Sequence, residues 1–116
     1  MPSIAAALHD LLGSNDLTVE QAVARHVTDD YRQSTDGVWI DRAAYVQQIA
    51  QLRGFIERIA VEVKGELTEG SHYAERHIIT VTRRDGGTAA QEVFLFGEVA
   101  ADGRFAQLEE LTRQLP

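Results

Sequence analysis

The C-terminal half of the chain, residues 56–113, constrains the fold most. It divides into four runs of strand length, and each of the first three ends in glycine: IERIAVEVKGELTEG, SHYAERHIITVTRRDGG, TAAQEVFLFGEVAADG and RFAQLEELTR. Strand-length runs that are separated by Gly or Asp-Gly are typical of consecutive β-hairpins. We therefore predict a long antiparallel sheet, and we expect the N-terminal half to supply helices that cover one of its faces.

Alternation of apolar and polar residues predicts which side chains of the first two strands face the core. In the first run the predicted inner face carries Ile59, Val61, Val63 and Leu67. Gly65 falls on the same face, and a glycine inside a strand commonly marks a bulge. In the second run the predicted inner face carries Tyr73, Glu75, His77, Ile79 and Val81. Buried polar groups need partners, so Glu75 and His77 are expected to serve either the structure or a ligand.

The third run, residues 88–100, is apolar on both of its faces. One face carries Val93, Leu95 and Val99, and the other carries Phe94 and Phe96. An antiparallel strand of this kind needs a cover on each side. We expect helices on one side and a second copy of the sheet on the other, and we therefore predict a homodimer. The sequence leaves open which face forms the interface.

The last run, Phe105–Leu115, fits two kinds of structure. As a strand it has one face with Phe105, Gln107, Glu109 and Leu111, and another with Ala106, Leu108, Glu110 and Thr112. As a helix it aligns Leu108, Leu111 and Leu115. The regular spacing of the preceding hairpins favours the strand.

The N-terminal half contains three predicted helices. They are residues 3–12, residues 19–27 and residues 42–53. Thr18 and Gln21 match a capping box at the start of the second helix, and Asp41 is a cap for the third, which Gly54 is expected to close. Residues 30–34 are predicted to form a short strand or extended turn, and residues 38–40 an apolar plug.

Composition limits the classes of function. The 116 residues, 44% hydrophobic and 25% charged, suit one globular domain over residues 1–116. The chain has no cysteine, which excludes disulfides, thiolate metal sites and a cysteine nucleophile. A net charge of −7 without a basic patch disfavours nucleic acids and acidic membranes as partners.

Neither a membrane segment nor a signal peptide is apparent. No apolar run is long enough to span a bilayer, and MPSIAAALHD lacks a basic leader and a long apolar segment. We therefore expect a cytoplasmic protein.

The order of these elements resembles the SnoaL-like branch of the NTF2-like superfamily. TDDYRQSTDGVWIDRAAYVQQIAQLR is similar to the segment in which an aspartate-tyrosine strand leads to a capped helix, and DGRFAQLEELTR is similar to the final strand. The resemblance covers nearly the whole chain. It implies an α+β, cone-like fold in which three N-terminal helices pack on a strongly curved antiparallel sheet. It also implies an apolar pocket and dimerisation through the outer sheet face.

The resemblance implies several activities. The superfamily includes steroid isomerases, polyketide cyclases, dehydratases, epoxide hydrolases and domains without catalysis, so the fold alone does not settle the function. Tyr31 or Tyr45 corresponds to the tyrosine of the isomerases, but the predicted inner faces carry Glu75 and Glu109 where those enzymes use aspartates. His77 corresponds to the histidine of the dehydratases, without a strand aspartate to pair with it. The Asp-Arg-Asp set of the epoxide hydrolases is not found on these strands.

The candidate catalytic residues are His77, Glu75 and Glu109. A carboxylate beside an imidazole on one strand face orients the imidazole as a general base, and the alternative is a satisfied polar pair. Glu109, with Gln107, is expected to face the same cavity and to act as a proton shuttle. The alternative for Glu109 is a solvated acidic strand face.

The candidate ligand-binding residues are Tyr31, Trp39, Tyr45, Phe55, Tyr73 and Gln107. Tyr31 is expected to direct its hydroxyl at the pocket and to hold a carbonyl oxygen. The alternative for the aromatic residues is a role in the core or at the entrance. His72 and His77 lie on opposite strand faces and no metal-ligand spacing is present, so we expect neither a metal nor a cofactor.

Three functions remain open at the level of sequence. The first is a dimeric domain that binds a small apolar molecule without catalysis. The second is a cofactor-independent acid-base enzyme, of the isomerase, polyketide cyclase or dehydratase type, that acts on an apolar carbonyl compound. The third is a dimeric interaction or scaffold module. An enzyme requires at least two titratable groups that converge in a deep apolar pocket.

Overall fold

The structure, a computed structural model, describes residues 2–116 of the chain. The elements in chain order are α1 (Ile4–Leu8), a π-helical turn (His9–Gly13), α2 (Val19–His26), β1 (Val27–Thr35), β2 (Val38–Asp41), α3 (Arg42–Phe55), β3 (Ile56–Glu69), β4 (His72–Arg83), β5 (Thr88–Val99) and β6 (Phe105–Leu115). The chain therefore has an α+β fold. Within residues 2–116, the helices all fall short of the length and apolar composition that crossing a membrane requires.

The strands form one mixed sheet in the order β2-β1-β6-β5-β4-β3. Neighbouring strands are antiparallel except β1 and β6, which run parallel. The expectation of a fully antiparallel sheet is therefore wrong, because the polar segment after α2 forms a full strand and pairs with the last strand of the chain. The alternative of a helix over Phe105–Leu115 is excluded, since this segment pairs with strands on both sides.

Local capping sets the helix starts as the sequence predicts. The Thr18 hydroxyl accepts the backbone N–H of Gln21 at 3.1 Å, and the Gln21 side chain accepts the N–H of Thr18 at 2.9 Å, which completes the capping box of α2. The Asp41 carboxylate accepts a backbone N–H at the start of α3 at 2.9 Å. The end of α3 differs from the prediction, because the helix continues through Gly54 and ends at Phe55.

Helix and strand side chains share one buried core. The helices and the π-helical turn contribute Ile4, Ala7, Leu11, Ala22, Val23, Tyr45 and Ile49, and the strands contribute Val27, Tyr31, Tyr73, Ile79, Val93, Leu95, Phe105 and Leu108. The predicted inner face of β4 is confirmed. Burial of each large apolar side chain contributes about 1.5–3 kcal/mol to folding.

A β-bulge in β3 changes which of its residues face the core. The pairing of β3 with β4 shifts by one residue between Val63 and Gly65. Because successive side chains of a strand alternate between faces, the extra residue turns Leu67 to the outer face, where it is 68% exposed. The predicted bulge near Gly65 is confirmed, and the predicted inward orientation of Leu67 is wrong.

A second bulge lies at the start of β6. The pairing of β6 with β5 shifts between Phe105 and Gln107. Phe105 therefore shares the inner face with Glu110, whereas Glu109 points outward and is exposed. The prediction that Gln107 and Glu109 face inward with Phe105 is wrong, because one added residue exchanges the faces of all the residues that follow.

The predicted apolar plug at residues 38–40 is an edge strand. Val38 and Trp39 in β2 are 66% and 41% exposed. The Arg32 guanidinium lies 4.3 Å from the centre of the Trp39 ring and covers part of it. Ile40 of the same run is partly buried and packs against the core. The run therefore forms the edge of the sheet and contributes one side chain to the margin of the core.

Candidate functional site

A cavity of about 400 Å³ lies between the helices and the inner face of the sheet. Most of its wall is aliphatic, and it includes Ile4, Leu11, Ile49, Ile79, Leu95 and Leu108. Cavities of this size and composition are typical of small-molecule sites.

The mouth of the cavity carries polar groups. Within residues 2–116, the exposed lining residues are Asp36 and Gln48, and the half-buried ones include Gln91 and Thr112. Asp36, at the turn between β1 and β2, accepts the Thr112 backbone N–H at 2.8 Å and the Thr112 hydroxyl at 2.6 Å. These hydrogen bonds favour the ionised carboxylate and hold the pKa of Asp36 below its ordinary value. The mouth therefore bears a negative charge.

One wall of the cavity is a directed chain of hydrogen bonds along β1. Tyr31, Gln33 and Thr35 face inward because they are two residues apart. The Tyr31 hydroxyl donates to Gln33 Oε1 at 2.6 Å, and Gln33 Nε2 donates to Thr35 Oγ1 at a longer 3.4 Å. The Thr35 hydroxyl then donates to Glu110 Oε1 at 2.9 Å. Glu110 is thus the last acceptor of the chain.

Glu110 is the half-buried carboxyl group among the lining residues, whereas Asp36 is exposed. Burial raises its pKa above the ordinary value of a glutamate, while the hydrogen bond from Thr35 and the charge of His77 act in the opposite direction. Glu110 lines the cavity, and its Oε2 accepts no hydrogen bond from residues 2–116. A protonated Glu110 would therefore offer a donor to a ligand.

Two tyrosines stand beside Glu110. The rings of Tyr31 and Tyr45 have their centres 5.1 Å apart and are tilted by 57°. Burial raises the pKa of both phenols well above the ordinary value, and the nearby charge of Glu110 adds to the effect. Both side chains are therefore neutral hydroxyls. The Tyr31 hydroxyl already donates to Gln33, so towards a ligand its oxygen serves as an acceptor.

His77 and Glu75 form a buried pair on β4. His77 Nδ1 lies 2.6 Å from Glu75 Oε1, and the side chains are 3% and 0% exposed. His77 lines the cavity, whereas Glu75 lies behind it. Within residues 2–116, the second ring nitrogen of His77 makes no hydrogen bond and Glu75 Oε2 has no partner. The predicted pair is thus brought together beside the cavity, and Glu75 fixes the orientation of the imidazole.

Besides Glu75, five predicted site residues do not line this cavity. They are Trp39, Phe55, Tyr73, Gln107 and Glu109. Trp39 lies on the edge strand, Phe55 is 50% exposed at the end of α3, and the bulge turns Gln107 and Glu109 outward. The Tyr73 hydroxyl accepts the Ile4 N–H at 3.2 Å and donates to Glu66, so its polar group ties α1 to the sheet.

Sequence reasoning missed Glu110 and Gln33, although it named their strands. Gln33 could have been predicted from the sequence, because it lies two residues after Tyr31 in a polar strand. Simple alternation along β6 places Glu110 on the outer face, because it does not account for the bulge at the start of this strand. Among residues 2–116, no group of three His, Asp or Glu side chains is arranged to hold a metal ion.

Comparisons with known proteins identify the fold. No protein-family model matches the chain. An uncharacterised protein of Schizosaccharomyces pombe is 29% identical over 86 residues, which are 74% of this chain. The chain spans 65% of the length of that curated relative.

Several solved structures superpose on nearly the whole chain. An NTF2-like protein of unknown function from Exiguobacterium sp. 255-15 has a TM-score of 0.73 at 17% identity, over 96% of this chain and 98% of that chain. An LEH-like epoxide hydrolase of Mycobacterium tuberculosis has a TM-score of 0.73 at 15% identity, over 94% and 79%. A protein with a ketosteroid isomerase-like fold from Catenulispora acidiphila has a TM-score of 0.71 at 14% identity, over 95% and 85%. At these identities the likeness is one of fold, and the fold of this chain is that of the NTF2-like superfamily.

Proposed function

We propose that the chain binds a small apolar molecule in its cavity. The observation that carries this proposal is a cavity of about 400 Å³ whose wall is mostly aliphatic. Burial of ligand surface there would contribute about 25 cal/mol per Å² of apolar area. We infer that residues 1–116 act as one domain and that the sheet curves around the helices as a cone, since helices and strands line the same cavity.

A fluorescent probe and two matched variants test this proposal. The neutral dye N-phenyl-1-naphthylamine becomes fluorescent in apolar surroundings. Ile49→Trp, on the cavity side of α3, should abolish the fluorescence gain because the larger ring fills the cavity. Ala50→Trp, on the exposed side of the same helix, should leave the gain unchanged. The proposal fails if the dye does not bind, or if both variants bind it as the original chain does. Thermal unfolding checks that both variants fold.

A second candidate function is acid-base catalysis, and one observation favours it. His77 and Glu110 reach the same cavity, and the imidazole is oriented by Glu75. We propose that His77 Nε2 removes a proton from a carbon next to the carbonyl of a ligand. A protonated Glu110 would donate a proton to the carbonyl oxygen, which gives the enol.

Deuterium incorporation tests this second function. The chain is incubated with acetophenone in D₂O, and exchange of the methyl protons is followed by NMR. His77→Gln should abolish any acceleration over buffer, because it removes the base. His72→Gln changes an exposed histidine on the same strand and should have no effect. Equal exchange in the His77→Gln variant and the original chain would reject His77 as the base.

We also propose that the chain forms a homodimer through the outer face of the sheet. Leu67, Phe94, Phe96 and Leu111 on this face are exposed by 46–68%. The strand register places Phe94 beside Leu111 and Phe96 beside Ala74. Ala74 in turn pairs with Leu67. The four exposed apolar side chains therefore form one patch. A second copy of the same patch would cover it. If the chain is an interaction module, we expect its partner to bind to this same outer face.

The cytoplasmic location stays a prediction.

A further inference from the structure

The titratable residues that line the cavity, other than the tyrosines, are Asp36, Glu110, His26 and His77. None of the lining residues within the described part of the chain is Lys or Arg. A carboxylate or phosphate ligand would therefore enter without a counter-charge, and burial of an unpaired ion is costly. The cavity disfavours anions.

When it is ionised, Glu110 carries a negative charge without an ion-pair partner among residues 2–116. Over residues 2–116, no basic side chain forms an ion pair with Glu110, whereas Glu92 on the outer face is paired with Arg76 and Arg113. Glu110 lines the cavity, its Oε1 accepts the hydrogen bond of Thr35, and its Oε2 accepts none from residues 2–116. A ligand cation with an N–H group would supply both the missing counter-charge and the missing donor.

The surroundings of Glu110 suit a cation in two further ways. Tyr31 is linked to Glu110 through the hydrogen bonds of Gln33 and Thr35, and the Tyr45 ring packs against Tyr31 with the ring centres 5.1 Å apart. Aromatic rings attract cations. The Tyr31 oxygen also remains available as an acceptor for a second N–H. Asp36 adds a negative charge at the mouth, which attracts cations on their way in.

We propose that the cavity takes an apolar molecule that carries one protonated amine, with the ammonium group against Glu110 and the Tyr31–Tyr45 pair. The apolar remainder of the ligand lies along the aliphatic wall. This inference rests on the proposed binding function and names its ligand class.

Binding of such a ligand is linked to the protonation state of Glu110. A bound ammonium favours the ionised form of Glu110, so the affinity for the amine rises as the pH rises through the raised pKa of this group in the free chain. The titratable groups that act on Glu110 are His77, Asp36, Glu75, Tyr31 and Tyr45. Protonation of His77 would also repel an ammonium at low pH, so the test must separate His77 from Glu110.

The experiment compares ligands of one shape and different charge. N,N-dimethylbenzylamine, its uncharged isostere isobutylbenzene and phenylacetate compete with N-phenyl-1-naphthylamine for the cavity. Glu110→Gln should weaken the amine about tenfold at pH 8 and leave isobutylbenzene unchanged, since glutamine keeps the shape but not the charge. Glu109→Gln, one residue away on the outer face, should change neither ligand. Phenylacetate should be the weakest competitor.

The pH dependence gives a second readout. The pH series is run with His77→Gln in every chain, so that His77 does not contribute; the affinity for the amine should then rise with pH, and adding Glu110→Gln should flatten this rise. If the variant weakens both ligands equally, or if the rise persists in it, the amine inference is wrong while apolar binding stands. If no ligand and no dye binds, the proposed function fails with it. Unfolding curves of the variants confirm that they fold.

Discussion

His77 Nδ1 lies 2.6 Å from Oε1 of Glu75, two residues earlier on the same strand, with both side chains buried. Loss of one partner leaves the other buried without its hydrogen bond. We expect Glu75→Ala and His77→Ala each to lower the free energy of unfolding by roughly 2–4 kcal/mol. The double variant should lose about 1–3 kcal/mol less than the sum of the two. Urea denaturation measures all four chains of this cycle.

His72→Ala is the control for this cycle. His72 lies on β4 with the pair, but its side chain is exposed. Its replacement should change the stability by less than about 0.5 kcal/mol. Additive losses in the Glu75 and His77 variants would mean that the pair contributes no coupling.

Glu110→Gln should change stability in a pH-dependent way. Because the pKa of Glu110 is raised in the folded chain, folding favours its protonated form. The stability that Glu110 contributes is fully present below the ordinary pKa of a glutamate. It is lost as the pH rises through the raised pKa of Glu110 in the folded chain. The variant should therefore match the original chain near pH 4 and exceed it near pH 8 by on the order of 1 kcal/mol, or about 4 °C in thermal midpoint.

Glu109→Gln provides the comparison for this measurement. The exposed carboxylate of Glu109 should give no difference that depends on pH. Equal midpoints of the Glu110 variant and the original chain at both pH values would show that the buried charge costs nothing.

The inner wall of the sheet was predictable as far as the strands are regular. In β4, strict alternation placed Tyr73, Glu75, His77 and Ile79 on the inner face, and the structure agrees. No bulge interrupts the register of β4 with β5. Two polar residues at inward positions of such a strand must lie together, so the His77–Glu75 contact followed from spacing alone.

Where a strand contains a bulge, the sequence pattern predicts the wrong inner-face residues. Gly65 signalled the bulge in β3, but not that Leu67 would change faces. In β6 the bulge falls near Ala106, and alanine carries no signal of one. Alternation along β6 therefore predicts Glu109 at the inward-facing position that Glu110 occupies. Register is decided by pairing with neighbouring strands, which a single sequence does not display.

Arg53 holds the N-terminal segment against α3. Its guanidinium donates three hydrogen bonds to backbone carbonyls, at 2.7 Å to Leu11, 2.8 Å to Leu17 and 2.9 Å to Asp10. Lysine cannot reproduce this planar set of donors. Arg53→Lys should therefore lower the free energy of unfolding by about 1–3 kcal/mol. Binding of N-phenyl-1-naphthylamine should weaken as well, because Leu11 lines the cavity.

Arg58→Lys is the matched control for Arg53→Lys. Arg58 is exposed on β3 and, within residues 2–116, its side chain makes no hydrogen bond. This variant should keep both the stability and the dye affinity of the original chain. Equal stability of the two variants would reject the structural role of Arg53.

The outer face of the sheet should control association. Phe94 and Phe96 are 46% and 51% exposed at the centre of the proposed interface. Burial of a Phe side chain contributes about 1.5–3 kcal/mol, so the double variant Phe94→Gln with Phe96→Gln should raise the dimer dissociation constant at least about a hundredfold. Sedimentation velocity over a concentration series should show a dimer for the original chain and a monomer for the variant. Val38→Gln removes an even more exposed apolar side chain from the edge strand and should leave the dimer intact, because Val38 lies outside the patch. A monomeric original chain, or the same loss in the Val38 variant, would exclude this interface.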